Sequence, residues 1–284
     1  MRTVPTIEDL APGTLVRHLV TPRTLPARPV DVWFPPGVDP ADAGARPVVY
    51  AHDGQNLFLP RFSFAGVPGS LHTAALAAAT ATGTPAPVVV GVWNAGEHRY
   101  SEYLPAEPGL RPTGAGEAHL ALARAWGGPN AAAYVTMLAE EVLPLVEGGH
   151  GLAVGPASRV VLGSSMGGVV SAYAALTRPD LFGAAACVST NLIVGGEPLV
   201  DWLVARLPAP GAARLWFDRG TEGLDAEYGP LQQRLDAALR ASALVEGRDW
   251  VSRTYPGADH SEGSWAARAT DVLGFVLGGA VSAA

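Results

Sequence analysis

Ser165 has the sequence context that a nucleophilic serine needs. Residues 163–167 read Gly-Ser-Ser-Met-Gly and lie between an apolar segment at 159–162 and a small-residue segment at 169–176. This order predicts a strand, a sharp turn and a helix, which together hold a serine hydroxyl at the tip of a strained turn. Glycines flank such a serine because larger side chains would collide with the neighbouring strand or helix.

The spacing also distinguishes Ser165 from Ser164. If Ser164 were the central residue, Leu162 and Met166 would occupy the two glycine positions. The pentapeptide alone is a weak signal, since a chain with 34 glycines contains many clusters of small residues. The strand and helix predicted around it favour a functional serine, and Ser165 is therefore the candidate nucleophile.

A serine nucleophile needs a base, which His260 can supply. Where a catalytic serine lies on such a strand-to-helix turn of an α/β sheet, the triad members follow one another in the order serine, acid, histidine. The chain has seven histidines, and only His260 lies after Ser165. It follows the β-like segment 250–254 and precedes a predicted amphipathic helix. A loop after the last predicted strand is the expected place for the base.

The triad acid must lie between these two residues. The predicted strand 214–218 is followed by a turn that carries Glu222 and Asp225. A carboxylate there would accept the hydrogen bond of the imidazole Nδ1, fix its tautomer and stabilise the imidazolium. We favour Asp225, because the Gly-Thr turn at 220–221 carries the chain clear of the strand and an aspartate loses less rotamer freedom. Glu222 stays the alternative, and Asp218 is expected to make a structural hydrogen bond within the strand.

A polar loop after the predicted strand 47–51 is a candidate oxyanion hole. Residues 52–58 read His-Asp-Gly-Gln-Asn-Leu-Phe and lie at the C-terminal edge of a strand, where α/β folds place their sites. Such a loop supplies one N–H to the oxyanion, and the residue after the nucleophile, Met166, supplies the other. We expect the first donor at Asp53 or Gly54.

A second loop, residues 92–105, follows the next predicted strand. Its aromatic side chains and Arg99 could line a pocket for the acyl or leaving group. Alternatively, Arg99 and Glu102 pair with each other and only hold the loop in place. The predicted substrate-binding residues of the two loops are Gln55, Trp93, Asn94 and Arg99.

Composition narrows the class of protein. The formal net charge is −7 and no basic run is present, which argues against nucleic acid or an anionic membrane surface as a partner. No stretch of about 18 apolar residues occurs. The first ten residues lack the apolar core of a signal peptide, so a cytoplasmic location is expected.

The chemistry available to the chain is also limited by what it lacks. It contains no lysine, which excludes a Schiff base, a P-loop lysine and a Ser-Lys dyad. Its single cysteine, Cys187, excludes an internal disulfide. The His-Asp pair at 52–53 has no second cluster at metal-ligand spacing, so we predict no metal.

The order of the segments predicts an α/β fold with a mostly parallel sheet, helices on both faces and one domain over residues 1–284. A Pro/Gly-rich stretch near 106–130 is too long for an ordinary connection, and it is either a partial lid over a site or a surface insertion. Strands are predicted near 15–20, 28–34, 47–51, 87–93, 159–163, 183–189, 213–218 and 249–255, the first two antiparallel. Helices are predicted near 68–82, 130–147, 168–177, 197–206, 227–244 and 262–277.

These motifs together resemble the putative-esterase family of α/β-hydrolases, the group that includes enterochelin esterase, feruloyl esterases, S-formylglutathione hydrolase and the mycolyltransferase antigens. The specific motifs are 50–58 and 163–168, and the supporting ones are 32–37, 99–105, 178–183, His260-Ser261-Glu262 and Trp265.

The resemblance implies an eight-stranded core sheet, a Ser-His-acid triad and no cofactor. Ser165 and His260 map directly onto the family's nucleophile and base. Relatives often place the acid three residues after the glycine that ends this strand. Gly223 occupies that position here, so Glu222 and Asp225 both stay open.

The sequence therefore predicts a serine carboxylic-ester hydrolase that acts on a small-molecule ester through an acyl-enzyme. One alternative is an acyltransferase that uses the same triad with an alcohol in place of water. Another is a non-catalytic binding protein, since fold does not fix function. The sequence does not indicate the acyl group, the alcohol or the oligomeric state.

Overall fold

A single twisted sheet organises the molecule. The computed structural model describes residues 6–10 and 12–278. Within them the strand order is β1-β2-β3-β5-β4-β6-β7-β8-β9. Pairs among β1, β2, β3 and β5 are antiparallel, and all pairs from β5 through β9 are parallel. The strands are β1 Thr6–Asp9, β2 Thr14–Val20, β3 Arg28–Phe34, β4 Val48–His52, β5 Val88–Val92, β6 Arg159–Ser164, β7 Ala184–Val188, β8 Arg214–Gly220 and β9 Trp250–Tyr255.

The helices alternate with the parallel strands, as βαβ connections require. They are α1 Leu71–Thr82, α2 Arg99–Glu102, α3 Gly116–Ala125, α4 Ala131–Met137, α5 Leu143–Gly149, α6 Met166–Thr177, α7 Gly196–Val204, α8 Gly229–Ala241 and α9 Glu262–Val276. A π-helical stretch, Leu138–Val142, joins α4 to α5. None of the described helices combines the length and apolar character that crossing a membrane needs.

All eight predicted strands are present, and β1 adds a short ninth strand at the antiparallel edge. The six predicted helices are present too, the second of them divided by the π-helical stretch. The sequence pattern missed β1 because four residues, two of them acidic, carry too little alternation to predict a strand.

Both faces of the sheet are covered. Along β4, Val48 and Tyr50 pack into the core under α4–α8, whereas Val49 and Ala51 pack into the core under α1 and α9. All five residues of β4 and of β5 are buried. Strands buried on both faces are expected to be near-continuous apolar runs, as these are.

The strand order fixes where a site can form. β4 lies between β5 and β6, so the chain proceeds from β4 to one side and later returns to its other side. At such a reversal the loops that follow neighbouring strands diverge and leave a crevice at their C-terminal ends. The loops after β4 and β6 carry Asp53 and Ser165, which are thus brought to the same edge.

The Pro/Gly-rich stretch near 106–130 contains a helix, α3, that sequence reasoning did not predict. Leu120 and Ala123 of α3 are buried. The Arg111 N–H donates to the Gly195 carbonyl at 2.9 Å, and the Thr113 N–H donates to the Ile193 carbonyl at 2.9 Å. These contacts attach the segment to the loop before α7 and place α3 beside the crevice.

Two histidines, His150 buried and His18 partly buried, form a pair away from this crevice. His150 Nδ1 donates to the Pro40 carbonyl at 2.6 Å, so its Nε2 accepts from His18 Nε2 at 2.9 Å. Burial, followed by the neighbouring His150, lowers the pKa of His18 to about 4. The pair is therefore held in its neutral form.

This pair predicts acid sensitivity of the fold. An unfolded histidine takes up a proton near pH 6.5, whereas folded His18 resists it until about pH 4. The contribution of His18 to the free energy of unfolding is therefore fully present above pH 6.5 and is lost as the pH falls towards 4. Urea unfolding from pH 7.5 to 4.5 should show a shallower decline for His18→Gln, and identical slopes would contradict this account.

Candidate active site

Ser165 lies at a strained strand-to-helix turn. β6 ends at Ser164, α6 begins at Met166, and Ser165 between them has φ 59° and ψ −121°. A non-glycine residue with positive φ is costly and persists only where the surroundings enforce it. A Cβ on Gly163 would lie 2.6 Å from the Gly167 backbone. The strand and helix therefore approach too closely for any side chain at residue 163.

The backbone of this turn is fixed by its neighbours. The Ser165 N–H donates to the Val188 carbonyl at 2.9 Å, and its carbonyl accepts from the Asn191 N–H at 3.2 Å. Met166 begins α6, where the first N–H groups have no acceptor within the helix. The predicted donor role of Met166 is compatible with this position.

His260 and Asp225 form a short hydrogen bond. His260 Nδ1 lies 2.5 Å from Asp225 Oδ1, and the Asp225 side chain is fully buried. Asp225 Oδ2 accepts from the Gly220 N–H and the Ser189 hydroxyl, both at 2.6 Å. Burial acts to raise the pKa of Asp225, but the hydrogen bond from His260 and these two donors outweigh it and hold the pKa below its usual value.

Glu222 is placed differently. It is exposed and precedes the 3₁₀ turn Gly223–Tyr228, which directs Asp225 inwards. Its N–H donates to the Ala258 carbonyl at 3.0 Å. Of the two acids that the sequence left open, the structure brings Asp225 to His260.

A chain of buried polar groups supports Asp225. Ser189, itself at φ 40°, accepts from Arg268 at 2.7 Å and from Trp265 Nε1 at 3.0 Å while it donates to Asp225. Arg268 also pairs with Asp218 at 2.8 Å, and Asp218 accepts the Ser189 N–H at 2.8 Å. Sequence reasoning missed Ser189 and Arg268, since no local spacing signals a contact between β7 and α9.

Ser165 and His260 line one cleft of about 470 Å³ at the C-terminal edge of the sheet. Three of the predicted substrate-binding residues line it as well, namely Gln55, Asn94 and Arg99. A smaller apolar cavity of about 60 Å³ borders it and lies under α1 and α9. The cleft can thus offer polar contacts near Ser165 and an apolar recess beside it.

Trp93 is the exception among the predicted contacts. Its Nε1 donates to Asp31 Oδ2 at 2.9 Å, and its ring packs against Phe62, which lines the cleft, with centroids 5.1 Å apart. Trp93 therefore supports a cleft wall from behind, and the prediction that it contacts substrate directly is not supported.

Arg99 pairs with Asp53 through two 2.7 Å hydrogen bonds. Burial acts to raise the pKa of Asp53, but Arg99 outweighs it and lowers that pKa. Glu102, the partner that the sequence suggested for Arg99, instead forms a buried bidentate pair with Arg28 at 2.5 and 2.7 Å. That alternative is wrong, because α2 directs the two side chains to different partners.

The Asp53 N–H donates to the Tyr103 hydroxyl at 3.2 Å. Because the Asp53 N–H already donates to Tyr103, the prediction of Asp53 as an oxyanion donor is not supported. The next residues form the 3₁₀ turn Gly54–Asn56, whose first N–H groups have no acceptor in the turn. Gly54 stays a candidate donor, with Gln55 beside it.

His119 is a cleft residue that sequence reasoning missed, because it lies before Ser165 in the chain. It extends from α3, stacks on Tyr100 with centroids 5.1 Å apart and lies 2.9 Å from Asn191 Nδ2 through its Nδ1. Burial, then the charges of Arg99 and His260, lower the pKa of His119. A neutral His119 that accepts from Asn191 keeps its Nε2–H for a ligand.

No metal-binding cluster is apparent in the part of the chain that the structure describes. Within residues 6–10 and 12–278, no group of three or more His, Cys, Asp or Glu side chains is placed to hold an ion.

Comparison with known proteins gives the family. The profile described as putative esterase matches residues 26–274, which is most of the chain. The chain belongs to the putative esterase family. As a member, this esterase is an enzyme of carboxylic-ester hydrolysis. It is 25% identical over 191 residues to the uncharacterized protein YbbA of Bacillus subtilis (strain 168), a match that covers 67% of each chain.

Solved structures share the α/β-hydrolase fold of this esterase. The BES protein from Bacillus cereus has a TM-score of 0.70 at 15% identity and covers 97% of this chain and 99% of its own. The siderophore hydrolase EstA from Aspergillus nidulans has a TM-score of 0.66 at 15% identity and covers 96% of this chain and 98% of its own.

Matched amide substitutions can show which of Asp225 and Glu222 is the triad acid. Asp225→Asn removes the charge opposite His260, so kcat for p-nitrophenyl acetate should fall by about 10³–10⁴. Glu222→Gln alters an exposed carboxylate and should leave kcat near the wild-type value. A comparable loss in both variants, or a loss only in Glu222→Gln, would contradict the placement of the acid.

Proposed function

We propose that this esterase hydrolyses small-molecule carboxylic esters through an acyl-enzyme, with Ser165 as nucleophile, His260 as base and Asp225 as acid. The observation that carries the proposal is the His260–Asp225 hydrogen bond in the cleft that also contains the strained Ser165. Strain at a nucleophile, a base in the same cleft and an oriented acid together favour acyl transfer.

In acylation, Ser165 Oγ attacks the ester carbonyl while its proton passes to His260. The carbonyl oxygen becomes negatively charged and accepts hydrogen bonds from the Met166 N–H and from an N–H at the start of the Gly54–Asn56 turn. Collapse of this intermediate breaks the bond to the alcohol, which takes the proton from His260. Asp225 stabilises the imidazolium throughout without taking its proton.

In deacylation, water replaces the alcohol. His260 accepts a proton from the attacking water and returns it to Ser165 Oγ as the acid leaves. An alcohol in place of water would give acyl transfer instead. The same residues serve both reactions, so only the acceptor distinguishes a hydrolase from a transferase.

The cleft favours esters without a free carboxylate. The one guanidinium among its lining side chains, that of Arg99, is already paired with Asp53. Phe62, Phe64 and Tyr100 supply aromatic surface. Because structural neighbours include a siderophore hydrolase and a ferulic acid esterase, aryl esters deserve testing beside aliphatic ones.

All proposed site residues lie on one continuous sheet and its connections, so we also propose a single catalytic domain. The cytoplasmic location stays a prediction of the sequence.

The test is hydrolysis of p-nitrophenyl esters of increasing acyl length and of methyl ferulate, followed by mass spectrometry of the trapped enzyme. Ser165→Ala should lower kcat by about 10⁴ or more and abolish the acyl adduct. The matched variant Ser164→Ala should keep the adduct. Added alcohol that diverts the acyl group more efficiently than water would favour the transferase.

A folded wild type that forms no adduct with any ester would overturn the mechanism. A non-catalytic binding protein would then explain the structure better than an esterase mechanism.

A further inference from the structure

Tyr228 is a buried residue at the nucleophile that the mechanism above does not use. It ends the 3₁₀ turn Gly223–Tyr228, the same turn that carries Asp225. Its side chain is fully buried. Its ring meets the His260 ring edge-on, at 89° and with centroids 5.7 Å apart. The turn that supplies the acid therefore also delivers a phenol to the reacting groups.

The Tyr228 hydroxyl is inaccessible to solvent and makes no hydrogen bond of ordinary geometry with the described residues, although the Ser165 side chain lies close enough to interact with it as a hydrogen-bond partner. A buried hydroxyl without a partner is unfavourable, and such groups are rare in folded proteins. Where they persist, a functional explanation is worth seeking. Ser165 is the polar side chain beside this hydroxyl.

The carboxylate of Asp225, which lies near Tyr228, is already engaged on both oxygens. Asp225 accepts from His260 on one oxygen, and from Gly220 and Ser189 on the other. The Ser165 hydroxyl keeps lone pairs for an additional donor when it gives its own hydrogen to His260. Ser165 Oγ is the acceptor that lies within reach of the Tyr228 hydroxyl as a hydrogen-bond partner.

We propose that Tyr228 is a catalytic residue whose hydroxyl donates a hydrogen bond to Ser165 Oγ when that oxygen carries negative charge. This inference rests on the proposed function. Charge develops on Oγ twice, as it loses its proton to His260 during attack and as its bond to the acyl carbon breaks during deacylation. Tyr228 keeps its proton in both steps, and only the proton shuttled by His260 moves.

The chemistry of the phenol fits this role. Burial, followed by the charge of Asp225, raises the pKa of Tyr228 well above its usual value, so the group stays a donor at neutral pH. A fixed donor aimed at the site where charge develops stabilises the transition state more than the resting enzyme. A hydroxyl whose contact with Ser165 falls short of ordinary hydrogen-bond geometry at rest and tightens as Oγ becomes charged has that property.

The experiment compares Tyr228→Phe with the wild type in two reactions. One is the steady-state hydrolysis of p-nitrophenyl acetate, and the other is the second-order phosphonylation of Ser165 by a fluorophosphonate. Both rates should fall by about ten- to a hundredfold, as expected for loss of a hydrogen bond to a charged group. The melting temperature should stay the same or rise, because an unpaired buried hydroxyl is removed.

Tyr255→Phe is the matched control. The Tyr255 hydroxyl is also buried and without a partner in the described structure, but its ring packs against Arg268, 4.9 Å from the guanidinium, whereas the Tyr228 ring packs against His260. Its removal should leave both rates unchanged. Replacement of Tyr228 by 4-aminophenylalanine, which restores a donor of similar size, should recover part of the lost rate even if Tyr228→Phe is less stable.

Three outcomes would overturn the inference. Unchanged rates in Tyr228→Phe would show that the hydroxyl does not contribute to either reaction. Slower hydrolysis with unchanged phosphonylation would place its effect on the substrate and not on Ser165. A rate loss that follows the melting temperature, without recovery by 4-aminophenylalanine, would indicate a structural role. A wild type that neither turns over esters nor reacts with the fluorophosphonate would overturn the proposed function itself.

Discussion

The buried carboxylate of Asp225 imposes the strongest physical constraint on this site. An ionised group in the protein interior is tolerated only when hydrogen bonds replace its lost hydration. Here the replacements come from β8 through Gly220, from the end of β7 through Ser189 and from the loop before α9 through His260. These elements must therefore meet at one point, and their meeting orients His260. The Arg268–Asp218 pair, equally buried, fixes Ser189 between the two acids.

Backbone strain is concentrated at the same edge of the sheet. Of the four non-glycine residues with positive φ in the described chain, Asp53, Ser165 and Ser189 follow β4, β6 and β7. Each position turns sharply at the end of a buried parallel strand, and each turn places a polar group at the crevice. Such conformations are unfavourable locally and need support from surrounding packing. The sheet interior, buried on both faces, provides that support.

The parts of this structure that the sequence predicted are those with local signals. The eight longer strands follow from apolar runs, and Ser165 follows from flanking glycines that the close β6–α6 approach requires. Chain order placed the triad acid between Ser165 and His260 but left Glu222 open beside the favoured Asp225. By contrast, the bond from the Asp53 N–H to Tyr103 and the link from Ser189 to Arg268 join residues 50 and 79 positions apart. No periodicity or spacing encodes contacts of that kind, and they decide which N–H groups and carboxylates are free to act.

The residues proposed for the reaction follow strand ends, whereas the residues that form the cleft walls lie on loops. Asp53, Ser165 and Ser189 directly follow β4, β6 and β7, and these strands set their backbone positions. Those walls come from other segments, the loop with Phe62 and Phe64 and the segment near 106–130 that supplies His119. Loops tolerate sequence change far better than buried strands do. A change of His119 would therefore alter which ester fits beside α3, whereas the hydrogen bonds that hold Asp225 come from Gly220, Ser189 and His260, none of which lies on α3.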